Sequence, residues 1–176
     1  MRYTHKKTDR EYQIMEPAYR AVARKKELYG FFEDKKHDTV CNFYEILQLD
    51  PNVYLTDDDG NVYVAGGVLP NAAEWEISAV AICDYEGKRI ERFRLTDDAC
   101  VAQIRALWFE GDGDAVTPMK GLQSTRRVEL VSTAYPNLHY CFTLSLYEGE
   151  QAFFSDSYTR RIVSVPYELA SDLMQN

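Results

Sequence analysis

A chain of 176 residues is long enough to bury one sizeable core without disulfide or metal support, and its 45% hydrophobic, 27% charged composition is that of a globular protein. The net charge of −8 is unevenly placed: residues 1–36 hold ten Lys/Arg against six Asp/Glu, residues 37–176 hold ten against twenty-two, and no Lys or Arg occurs from His37 to Gly87. So acidic a chain repels phosphate backbones, which argues against a sequence-independent grip on nucleic acid and favours basic proteins, amines or a metal as partners.

Four cysteines, Cys41, Cys83, Cys100 and Cys141, form no C-x-x-C pair, and three of them sit in apolar runs and read as buried thiols of a reducing, cytoplasmic compartment. Three scattered histidines supply no ligand cluster, so no metal is expected. The opening "MRYTHKKTDREYQ" has no apolar signal core, and the apolar runs are too short to span a bilayer.

No internal repeat or low-complexity linker interrupts residues 1–176, so a single domain is expected. "RYTHKK" reads as a short opening strand. Thr8 then caps a helix over "DREYQIMEPAYRAVARKKELYGFF", which Pro17 divides in two. Asp38 or Thr39 caps a second helix, "VCNFYEILQL", ending before Asp50-Pro51. The period then changes: "NVYLTDDDGNVYVAGGVL" is two strand-like runs around an acidic turn, with Gly60 free to take a positive φ. "EWEISAVAIC" is apolar enough on both faces to be a central strand. Thr96-Asp97-Asp98 opens a helix at "ACVAQIRALWF". "RRVELVSTA", "LHYCFTLSLY", "QAFFSDS" and "RRIVSVPY" read as strands, and "ELASDLM" as a short last helix. The expected class is α+β, a mostly antiparallel central sheet flanked by helices.

This order, with "VYLTDDDGNVYVAGGV", "EISAVAICDYEGKRI", "VELVSTAYPN" and "LYEGEQAFF", resembles the GNAT superfamily of acyl-CoA-dependent N-acyltransferases. The family's central strand often reads E-I-x-x-V-A-V-x-P-x-Y-R-G-K-G-I-G. Val80 and Ala81 match it, Asp84 stands at its Pro, and Tyr85, Gly87, Lys88 and Ile90 match once the position between its Pro and Tyr is closed up, while its phosphate signature falls on Glu86, Arg89 and Glu91, none of which is the family's residue. The resemblance implies transfer of an acyl group from acetyl-CoA or another acyl-CoA to an amine, by direct attack that needs no metal. It implies Glu76 as general base and Tyr147 as the acid that reprotonates the thiolate. Backbone amides near Val80 and Ile82 would meet the acyl and pantetheine groups. Gly87, Lys88, Arg89 and Ile90 would line the pyrophosphate at a helix start.

Other readings stay open. "AICDYEGKRIERF" also reads as a β-hairpin through Tyr85-Glu86-Gly87-Lys88, with no phosphate role for Gly87. "HDTV" at His37 and "HYCF" at His139 are similar to the paired H-x-T/S motifs of two-histidine phosphoesterases, with Cys141 standing where a hydroxyl is expected. The Lys/Arg-free stretch fits a non-catalytic acidic interaction protein, of the inhibitor or immunity type, that covers a basic partner.

Overall fold

A computed structural model describes residues 2–5, 8–34, 39–66, 70–84 and 92–175. Its elements in chain order are β1 (Arg2–His5), β2 (Arg10–Ile14), β3 (Tyr19–Ala21), β4 (Arg24–Asp34), β5 (Thr39–Ile46), β6 (Tyr54–Thr56) and β7 (Val62–Ala65). A 3-10 turn (Ala72–Glu74) precedes β8 (Ile77–Cys83), β9 (Arg92–Leu95), α1 (Asp98–Glu110) and β10 (Leu122–Ser132). The chain ends with β11 (Leu138–Tyr147), β12 (Gln151–Asp156), β13 (Arg161–Val165) and α2 (Tyr167–Gln175). Among the described residues strand accounts for 52% and helix for 16%, in two antiparallel sheets. The expected α+β class, with helices flanking one central sheet, is therefore corrected to a mostly β protein.

The residues fall into two compact units, Met1–Glu74 with Ala134–His139, and Trp75–Thr133 with Tyr140–Asn176. In the first, the strand order is β1-β2-β7-β6-β5-β4. Tyr3 of β1 nevertheless stacks on Phe43 of β5, ring centroids 4.1 Å apart, although β2, β7 and β6 lie between their strands. The sheet is thus curled until its ends face one another over a core of Tyr3, Tyr12, Phe43, Leu55 and Tyr63. The abundant tyrosines of the sequence supply that core because a flat ring packs well across a twisted sheet.

Both expected N-terminal helices are corrected to strands. Pro17 lies in a turn closed by the bond from Tyr19 N–H to the Glu16 carbonyl, and the residues after it extend as β3 and β4. In β5, Cys41 and Phe43 face the aromatic core, while Val40 is exposed and Asn42 reaches outward to Asp58. Apolar side chains on both faces blur the two-residue period that marks a strand. The turn Ala134–His139 completes this unit. Asn137, at φ 62°, donates its amide to the Leu47 carbonyl at 2.9 Å, and its own carbonyl accepts from Val22 N–H at 3.0 Å.

In the second unit the order is β13-β12-β11-β10-β8-β9. Here the sequence expectations for β8, β10 to β13 and both helices hold to within a few residues. Asp97 caps α1 by accepting from Cys100 N–H at 2.9 Å, and Val101, Ile104 and Trp108 bury one helical stripe. Trp108 stacks on Phe142 of β11 at 4.4 Å, and Phe142 meets Phe154 of β12 edge-on at 4.9 Å. Gly111 ends α1 where no side chain fits: a Cβ there would overlap the Leu107 carbonyl and stand 2.8 Å from Val163.

Candidate functional site

The stretch after β8 carried the acyl-CoA expectation. Arg92–Leu95 runs antiparallel beside β8, with Cys83 paired to Arg92 and Val80 to Leu95. The chain doubles back, as the hairpin reading expects. Gly87, Lys88, Arg89 and Ile90 lie outside the described residues. Val80 and Ile82 are buried, and β8 has β10 on one side and β9 on the other along this stretch. Their backbone groups therefore lie between two strands, not at an open edge.

Glu76 is exposed and precedes β8 by one residue. Tyr147 is half-buried at the end of β11, edge-on to Phe153. Both neighbouring strands pair with β10, where Ile77 stands opposite Ser132 and Tyr147 opposite Leu122. Ten residues of one strand separate those positions, roughly 30 Å at the usual rise. The structure does not bring Glu76 and Tyr147 together. His139 is buried in β11, and His37 lies outside the described residues.

Two polar constellations stand out among the described residues. The first is on β10, where Glu129 is fully buried and forms an ion pair with Arg127, its Oε1 2.6 Å from Arg127 Nη2. Cys83 lies beside both; burial pushes its thiol pKa up, Glu129 pushes it further, and Arg127 opposes. Cys141 is the cross-strand neighbour of Glu129. A thiol so buried is a poor nucleophile, so this cluster reads as a structural ion pair within β10.

The second is the acidic turn between β6 and β7. Asp57 is buried, and its carboxylate accepts from Asp59 N–H at 3.0 Å, Asn61 N–H at 2.9 Å, the Asn61 side-chain amide at 2.9 Å and the Tyr63 hydroxyl at 3.1 Å. Gly60 takes φ 78°, as the turn requires. Four donors lock the turn, so Asp58 and Asp59 project from a rigid base. Arg24 Nη2 meets Asp58 at 2.9 Å and stacks over the Tyr44 ring at 3.5 Å, and the Asn42 amide donates to the other Asp58 oxygen at 3.1 Å. Arg20 reaches the Asp59 carbonyl and the Asn61 side chain. Between this turn and Ala21–Arg24 lies a cleft of about 220 Å³.

The three carboxylates act together electrically. Burial pushes the Cys41 thiol pKa up, the Tyr63 hydroxyl opposes by hydrogen bonding, and Asp57, Asp58 and Asp59 add to the rise. Arg20, Arg24 and Asn42 were missed as parts of this site because their segments read as helices. The signal available in the sequence was the basic run before the long Lys/Arg-free stretch, since such a stretch needs cations from elsewhere. Lys25 indeed pairs with Glu45, Arg24 with Asp58, and Arg126 with Asp84.

No known protein family, curated protein or solved structure matches the chain. Among the described residues, no group of three or more His, Cys, Asp or Glu side chains is placed to hold a metal ion, and no helix is long and apolar enough to cross a membrane.

Proposed function

We propose that this protein is a cytoplasmic, non-catalytic interaction protein of the inhibitor or immunity type, whose acidic cleft receives a basic group of a partner protein. The observation that carries this reading is the convergence of Asp57, Asp58 and Asp59 on one cleft already capped by a guanidinium. The Arg24–Asp58 pair is partly exposed on both sides, and such pairs contribute only ~0–1 kcal/mol. A partner's arginine or lysine exchanges for Arg24 at little cost, and the rigid turn loses no conformational freedom in accepting it. The net charge of −8 steers a basic partner toward the protein.

The test is calorimetric titration with an oligo-arginine peptide, for the native chain and for an Asp58→Asn/Asp59→Asn variant. Saturable binding that weakens with salt and is lost in the variant supports the reading. Binding of equal strength in both proteins, or none in either, removes it.

A further inference from the structure

The long strand β4 ends the hydrogen-bonded ladder of the first sheet, and among the described residues no strand bonds to its outer edge; Tyr3 and His5 of β1 meet it through side chains, at Gly30 and Tyr29. Its pairing with β5 slips twice, between Arg24 and Leu28, where four residues advance against two, and between Leu28 and Gly30, where Leu28 stands opposite Tyr44 and Gly30 opposite Phe43, so two advance against one. The second of these bulges re-aims the side chains on either side of it. Tyr29 and Phe32 pack on the aromatic core, and Leu28 and Phe31 both turn outward, 51% and 43% exposed. Val40 of β5 adds a third apolar side chain, 61% exposed and paired across the ladder with Glu33. Free edges are usually guarded by bulges and charge. This one keeps both guards yet sets large apolar side chains between them.

The charges on β4 follow its direction. It begins Arg24-Lys25-Lys26 and ends Glu33-Asp34. Such a strand is complementary to itself when reversed. Lys25 and Arg24 are engaged by Glu45 and Asp58, whereas Lys26 and Glu33 have no ion-pair partner among the described residues.

We propose that two copies of the chain associate through β4, edge to edge and antiparallel. Reversal about the Tyr29–Gly30 bulge sets Leu28 of each copy beside Phe31 of the other and Lys26 beside Glu33. The bulge makes this register consistent, since it puts Leu28 and Phe31 on one face. The twofold axis repeats each contact, giving a closed pair instead of an open fibre. Arg24 at the start of β4 also caps the acidic cleft, whereas the contacts from Lys26 to Glu33 lie outside it.

Sedimentation equilibrium of the full chain tests it through charge reversal. The native protein is expected to dimerise. Lys26→Glu and Glu33→Lys each turn two attractive contacts into two repulsive ones and weaken dimerisation about tenfold. An equimolar mixture of the two variants regains the native affinity, because both contacts are then attractive in the mixed dimer. A native protein that stays monomeric overturns the proposal, as does a mixture no better associated than either variant alone. Both substitutions sit on exposed side chains, so circular dichroism of each variant should match the native spectrum.

Discussion

Arg161 holds the C-terminal end of α1 through Trp108: its Nε donates to the Trp108 carbonyl at 2.9 Å, its Nη2 to the Gly111 carbonyl at 2.7 Å, and the guanidinium stands 5.6 Å from the indole centre. Two carbonyls that a helix end leaves without partners are thus satisfied from β13. Arg161→Ala should destabilise the protein by ~2 kcal/mol, and Arg161→Lys should recover less than half. A single ammonium does not reproduce the planar fork that spans both carbonyls. Urea denaturation of the three proteins checks this.

The curl of the first sheet depends on Gly30, because a Cβ at that position would overlap the Tyr3 hydroxyl. Tyr3 is buried and stacked on Phe43, so it has little room to move. Gly30→Ala is expected to cost about 1–3 kcal/mol. Adding Tyr3→Phe should return part of that loss, and the double-mutant cycle should show coupling. Independent, additive effects would mean that the overlap is relieved in some other way.

Asp57 is a better target than its neighbours for separating scaffold from surface. Asp57→Ala strips four hydrogen bonds from the β6–β7 turn and should cost ~3 kcal/mol. Asp58→Asn leaves the turn intact and should change stability by well under ~1 kcal/mol. Thermal melts of the two variants distinguish these roles.

High pH should unfold the protein through its aromatic core. Burial raises the pKa of Tyr3, Tyr12 and Tyr63 above the ordinary phenol value. A raised pKa means that the folded state keeps protons which the unfolded state releases. The stability these groups contribute is therefore full below pH ~10 and falls as pH rises beyond it. Tyrosinate absorbance should rise together with the loss of far-ultraviolet circular dichroism. A rise completed while the protein stays folded would contradict the burial argument.

The buried Glu129–Arg127 pair gives a contrasting expectation. Glu129→Ala leaves a guanidinium without its carboxylate and should cost ~3–5 kcal/mol. Exchange of both residues for apolar ones of similar size should be far milder. Chemical denaturation of the single and double variants checks the difference.

Where local chemistry is unopposed, the sequence by itself determined the outcome. The strict alternation of Leu138, Tyr140, Phe142, Leu144 and Leu146 became β11, and the cap at Asp97 began α1 where a carboxylate precedes an apolar helical stripe. The Asp-Gly turn at Gly60 formed because few other residues take its backbone angle freely. Only the tertiary structure decided the state of residues 10–34 and 39–46. Their helix propensity is a weak preference, and burying Tyr12, Phe43 and Ile46 in sheet geometry outweighs it. It also decided the site. Asp57, Asp58 and Asp59 are neighbours in the chain, but Arg20, Arg24 and Asn42 reach them only because β3, β4 and β5 are strands. Which cation meets which carboxylate is set by how the sheet curls, and no local pattern records that.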